Sequence, residues 1–187
     1  ITQPVKVVFG LEEYPRYRLR YGFQVSTTTL TTQGDYTSGP AKPGVTVDLA
    51  TARVLVGAHM AELVDLPGLY DLHGFSDDEL VVRHFLEAAR VDAVVVVLNS
   101  SQVDRQLALA LQVKALGLPT LVLLNMADEA KRFGIEIDTA RLANGLGLPV
   151  ASLSARYGTG VPEALARLAH LLDEAGPRRL PVQPKSE

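Results

Sequence analysis

Asn125 and Asp128, an amide and a carboxylate three residues apart, close the apolar run Leu121-Val122-Leu123-Leu124. A carboxylate so placed has one well-defined use. Its two oxygens can accept from the N1–H and the 2-amino group of guanine, a donor pair that adenine lacks. Asn125 would hold the loop, and Met126 could lay an apolar stem along the flat base. The alternative is that Asp128 is the N-cap of a short helix over residues 129–133. These residues alone leave both readings open.

Two other stretches carry chemistry of the same kind. In Asp65-Leu66-Pro67-Gly68, directly after the apolar Leu63 and Val64, the carboxylate can hold Mg²⁺ through water and the glycine amide can meet a terminal phosphate. Pro-Gly also makes an ordinary type II turn. In Ser154-Ala155-Arg156, followed by Gly158 and Gly160, small residues let backbone amides approach a ligand carbonyl closely. Four scattered histidines, His59, His73, His84 and His170, have no metal-site spacing, so no metal site is expected among them.

Each of these loops needs a strand to end on. The run at 121–124 opens at Pro119 and reads as a buried parallel strand, and open α/β sheets bind ligands at the carboxyl ends of such strands. Further strands are expected over residues 5–10, closed by Gly10, and over 93–98 and 150–153. Residues 45–56 and 58–65 flank Gly57 as an antiparallel hairpin. Ser76 and Glu79 form a capping box that opens a helix over 77–89, with Leu80, His84 and Ala88 at helical spacing and His84 half-buried. Helices follow over 104–116, stopped by Gly117, from Asp138 to Leu146 with Asp138 as cap, and over 161–174. Short-looped alternation of this kind is what right-handed βαβ units require.

The front of the chain is less regular. Tyr14, Tyr17 and Tyr21 interleave with Arg16, Arg18 and Arg20 in a β-hairpin that reads as a solvated edge rather than a nucleic-acid surface. Residues 24–33 are rich in threonine and make a poor helix; with Gly34, Gly39, Pro40, Pro43 and Gly44 they form a flexible connector. The organisation is therefore an atypical segment over 1–42, a core over 43–175 and a disordered tail over 176–187.

Composition sets the outer limits. With 187 residues, 47% apolar and 21% charged, the chain suits one domain with a sizeable core. A formal charge of −3 gives no basic field, so nucleic acid is not expected as a partner. Cysteine is absent, which excludes disulfides and thiolate metal sites and fits a reducing compartment. The apolar runs are far short of the roughly 18 residues that span a bilayer, and no signal-peptide pattern opens the sequence. Any membrane anchor is expected outside these residues.

Taken in order, Pro43-Gly44-Val45-Thr46-Val47, Glu62-Leu63-Val64-Asp65-Leu66-Pro67-Gly68, Leu124-Asn125-Met126-Ala127-Asp128-Glu129-Ala130, Gly134-Ile135-Glu136-Ile137-Asp138 and Ser154-Ala155-Arg156 resemble the cytoplasmic G domain of FeoB, the bacterial ferrous iron transport protein B family of TRAFAC-type GTPases. The likeness covers residues 43–172. It implies an α/β, Ras-like G domain with a mostly parallel sheet, one antiparallel hairpin and helices on both faces. It also implies GTP or GDP with Mg²⁺ as cofactors. Guanine would be read by Asn125, Met126, Asp128, Ser154 and Ala155, the last offering its amide. Thr46 would close over Mg²⁺ and the γ-phosphate, with Asp65 beside the metal and Gly68 sensing that phosphate. Leu69 stands where Ras-like enzymes carry a water-orienting glutamine, which FeoB-type domains also lack.

The P-loop departs from the pattern. It requires Gly-x-x-x-x-Gly-Lys-Ser/Thr, because successive amides cradle the phosphates while lysine neutralises them. No Gly-Lys pair occurs in the chain. Counting from Gly10 puts Pro15, Arg16 and Tyr17 in those places, and counting from Gly34 leads to Pro40-Ala41-Lys42. Counting from Gly22 gives the favoured alignment, with Ser26 in the loop, Thr27 in the lysine place and Thr28 in the Mg²⁺ place. A lost charged hydrogen bond costs about 1.5 to 3 kcal/mol, roughly one to two decades of affinity, unless Lys42 or Arg16 substitutes.

The resulting expectation is a guanine-nucleotide switch linked to ferrous iron transport, with weak or impaired hydrolysis. It would be the cytoplasmic, soluble part of an inner-membrane protein whose membrane-embedded portion is its partner, and no iron site is expected here. The alternative is a pseudo-GTPase serving as a docking or assembly module. The front segment also favours a homodimer by strand exchange.

Overall fold

The computed structural model describes residues 5–11, 25–29, 48–69, 71–72 and 77–176. Among the described residues are seven strands: β1 (Val5–Leu11), β2 (Val25–Thr29), β3 (Asp48–Val56), β4 (His59–Leu66), β5 (Ala93–Asn99), β6 (Thr120–Asn125) and β7 (Val150–Ser152). The same described residues include five α-helices: α1 (Asp77–Ala88), α2 (Val103–Ala115), α3 (Ala127–Arg132), α4 (Thr139–Leu146) and α5 (Val161–Ala175). A 3-10 turn (Ser100–Gln102) joins β5 to α2.

The strands form one sheet in the order β2-β3-β4-β1-β5-β6-β7. From β4 through β7 all neighbours run parallel, whereas β2 with β3 and β3 with β4 are antiparallel. The expected hairpin about Gly57 is β3 and β4, in the register Val56↔His59. Gly57 has φ +59, and a Cβ there would come within 2.8 Å of Ala169 Cβ on α5. The turn therefore needs glycine for both its dihedral and its packing. Residues 24–33, read as a flexible connector, contain strand β2. The β-branched side chains that disfavour a helix favour an extended pairing, and β3 supplies the partner.

Strand periodicity divides the core into two layers. Val94, Val96 and Leu98 of β5, with Val122 and Leu124 of β6, face α1, α2 and α4; Ala93 and Val95, with Leu121 and Leu123, face α5. Both faces of β5 and β6 are covered, which is why these strands read as continuous apolar runs. On α1 Val82 and Leu86 are buried, with Phe85 and, just past the helix, Ala89 packed against the same core, while Leu80 and His84 are exposed. The helical period was legible but the phase was not, because apolar residues occur on both faces of this helix. The expected cap on α4 is present: Asp138 Oδ1 accepts from the Arg141 amide at 2.9 Å. The Tyr/Arg hairpin, Ser76, Thr46 and the tail beyond Gly176 lie outside the described residues.

Candidate functional site

Strand β6 ends at Asn125, and the chain turns at once. Met126 adopts a left-handed conformation, φ 61 and ψ 33, and is the one non-glycine residue with positive φ among those described. That conformation costs a side-chain-bearing residue on the order of 1 kcal/mol or more, and such costs gather where geometry is used. The turn lets Asn125 and Asp128 serve the same end of the sheet. Met126 occupies the N-cap position of α3 and makes no side-chain cap bond; Asp128 lies inside the first turn. The simple capping role weighed for Asp128 is therefore not the one its side chain takes.

What the carboxylate touches is Ser154. The buried Ser154 hydroxyl donates to Asp128 Oδ1 at 2.6 Å, and the Ala155 amide donates to Asn125 Oδ1 at 3.0 Å. A backbone bond from Ala127 N–H to Leu153 O at 3.2 Å joins the same two loops. The loop after β7 is closed by Ser154 N–H to Thr159 O at 2.9 Å, with positive φ at Gly158 and Gly160. Asn125, Asp128, Ser154 and Ala155 thus meet at the carboxyl ends of β6 and β7, Met126 beside them. Asp128 is partly buried, and Ser154 donates to Oδ1 alone of its two oxygens.

The residues expected at the phosphate end are divided. Gly68 comes just after the end of β4, and Asp65, exposed near the end of that strand, pairs with Phe9 of β1 in the sheet register. Three strand spacings separate β4 from β6. At the usual strand separation this is roughly 14 Å, a span that an extended nucleotide can bridge. Ser26, Thr27 and Thr28 lie instead on β2, paired with Thr51, Ala50 and Leu49 of β3. Five spacings separate β2 from β6. That distance is roughly 24 Å, so these three residues are not brought to the cluster around Asn125. Their backbone is extended and paired rather than looped, unlike a run of amides turned inward to cradle phosphates.

Beyond Gly68 the chain is anchored. Leu69 is 6% exposed and packs into the core with Leu66, Leu72 and Val82. The Leu72 amide donates to Gln112 Oε1 and Gln112 Nε2 to Asp71 Oδ1, both at 2.8 Å, while Arg83 Nε donates to Leu72 O at 3.0 Å.

Residues 99–106 were missed in the sequence. Ser100, 2% exposed, donates from Oγ to the Asn125 carbonyl at 2.6 Å. Asn99 Oδ1 accepts from Ser101 N and Oγ, and the Asn99 amide donates to Gln106 Oε1 at 2.6 Å. Gln106 Nε2 is buried without a partner among the described residues; turning that amide over would break the bond to Asn99. The available signal was a polar run, Asn99-Ser100-Ser101, directly after an apolar strand, the same pattern that drew attention to Asn125.

Comparison with known proteins places this arrangement. The family model described as ferrous iron transport protein B matches residues 29–168, a span that starts just after Ser26, Thr27 and Thr28. A Fe(2+) transporter FeoB of Synechocystis sp. is 55% identical over 123 residues, 66% of this chain and 20% of the relative; one from Campylobacter jejuni is 39% identical over 130 residues, 70% and 21%. The chain thus spans about a fifth of the length of these relatives. Among solved structures, the cytosolic domain of the T. maritima FeoB iron transporter in a GDP form superposes with TM-score 0.74 at 26% identity, covering 94% of this chain and 65% of that one. The cytosolic domain of L. pneumophila FeoB gives 0.69 at 28% identity, covering 89% and 67%. The sheet and its helices are those of a Ras-like G domain. Among the described residues no helix is long and apolar enough to cross a membrane.

Proposed function

We propose, since this chain belongs to the ferrous iron transport protein B family, that its G domain binds GTP or GDP and acts as a switch for ferrous iron transport. The observation that carries the reading is the pair of hydrogen bonds joining Asp128 to Ser154 and Asn125 to Ala155. With Oδ1 steadied by Ser154, the Asp128 carboxylate accepts from N1–H and the 2-amino group of guanine; each oxygen has lone pairs to spare. Met126 covers a face of the base. The Ala155 amide, which donates to Asn125 Oδ1, passes to the guanine carbonyl on binding, so base binding exchanges one acceptor for another.

The phosphates run from there towards Gly68. Asp65, exposed and oxygen-bearing at the end of β4, suits Mg²⁺ held through water, with Thr46 as its companion. When bound, Mg²⁺ would neutralise charge on the terminal phosphates. Ser26, Thr27 and Thr28 would have to leave the β3 ladder to contribute, and Thr27 brings no charge. Hydrolysis is accordingly weak. Leu69 is committed to the core and cannot orient a water.

The same feature supports the second reading, a pseudo-GTPase that docks or assembles without turnover. In both, the chain is the cytosolic part of a membrane transporter, and a homodimer forms by strand exchange at β2, which among the described residues pairs on one side only. Titrating labelled GDP and ADP in Mg²⁺, with and without EDTA, tests the base site. GDP should bind roughly tenfold tighter or more, the worth of one charged hydrogen bond. Equal affinity ends the claim of guanine selectivity. Phosphate release at saturating GTP should stay near background, and the rate of an efficient GTPase would end the claim of impairment.

A further inference from the structure

We propose that Ser100 is a positioning residue for base selection, acting through the Asn125 carbonyl on the loop that carries Asp128; the proposal rests on the guanine reading given above. Strands β5 and β6 run in register to the pair Asn99↔Asn125, where β5 leaves the sheet into the 3-10 turn. At that point the Ser100 hydroxyl takes up the Asn125 carbonyl at 2.6 Å, at the short end for a hydroxyl donor. Ser100 is itself held. The Asn99 side chain caps its turn, and Gln106 of α2 accepts the Asn99 amide at 2.6 Å.

Pinning that carbonyl fixes the peptide between Asn125 and Met126. The next residue is the left-handed one, so the orientation of this peptide decides where Asp128 points after the turn. Asp128 is thus set from two sides, by Ser154 directly and by Ser100 through the backbone. A methyl group at 100 would leave a carbonyl at the start of the loop without this donor and free the peptide to rotate. The first thing lost would be the simultaneous reach of both carboxylate oxygens. That reach separates guanine from hypoxanthine, which has the N1–H but no 2-amino group.

The test compares GDP and IDP affinities for the unmodified protein, Ser100→Ala, Ser100→Thr and Ser100→Cys, with melting temperatures alongside. The GDP-to-IDP preference should fall roughly three- to tenfold in Ser100→Ala and return in Ser100→Thr, which keeps the hydroxyl. A residue that merely supports the fold would lower the melting temperature and weaken both nucleotides alike. Full preference retained in Ser100→Ala overturns the proposal. Should that variant fail to fold, Ser100→Cys, whose thiol is a weak donor of similar size, carries the same comparison: an intermediate preference supports the role and an unchanged one overturns it. If the unmodified protein binds GDP no better than ADP, the base site itself is misassigned and the role of Ser100 falls with it; discrimination that survives in every Ser100 variant removes the role of Ser100 alone.

Discussion

In the proposed guanine site Asp128 would meet the base restrained without being consumed. Ser154 occupies one lone pair of Oδ1, and Met126 holds the N-cap position of the helix around it, so the carboxylate is not spent on capping. Replacing it tests the chemistry directly. Asp128→Asn keeps an oxygen for Ser154 but presents NH₂ where an acceptor stood, which opposes the 2-amino group of guanine and suits the 2-oxo group of xanthine. GDP binding should weaken by about 1.5 to 3 kcal/mol, roughly one to two decades, while XDP gains, as read by competition titration. An unaltered order of preference would show that Asp128 does not meet the base. At this scale the sequence pointed to Asn125, Asp128 and Ser154 because hydrogen-bonding side chains stand out at the end of an apolar run, and to Ala155, which joins them through its backbone amide, by family resemblance; the structure brings the four together. Ser100 was not legible, because the polar run Asn99-Ser100-Ser101 does not say which of its hydroxyls bonds a carbonyl 25 residues away.

The loop and helix that follow β7 hold the Ser154 side of the site, and Gly160 joins them. It precedes α5 with φ +78, and a Cβ there would collide with the carbonyl of Ser152 and come within 3.0 Å of Leu153 Cα. Neither backbone can retreat without disturbing β7. Gly160→Ala should therefore cost about 2 kcal/mol or more in denaturant unfolding, from a left-handed residue together with an overlap, and should loosen the Ser154 contact. A midpoint within error of the unmodified protein would mean that the loop relaxes freely. Element types were legible from periodicity along most of the chain, and the α4 cap was read down to its acceptor. The buried side of α1 was not, since a helix with apolar residues on two faces acquires an orientation only when a sheet is laid against it.

At the scale of the molecule, β2 is the outermost strand and pairs on one side only among the described residues. An open edge offers unpaired amides and carbonyls to a second copy. Light scattering over a wide concentration range should show a dimer growing with concentration, whereas a monomer throughout would leave β2 as a plain edge. The opposite edge is the three-residue β7, too short to recruit much.

The chain order of strands and helices, the loops that carry polar groups and the likeness to a ferrous iron transport G domain could all be read without coordinates, because apolar period, turn residues and motif spacing are local properties. Folding in three dimensions was needed to put Val5–Leu11 in the middle of the sheet, between β4 and β5, and Val25–Thr29 at its margin. It was needed as well to bring Ser154 against Asp128 and to turn Leu69 into the core. Strand neighbours are chosen by pairing between segments far apart in the chain, and no local pattern records which partner a strand will find.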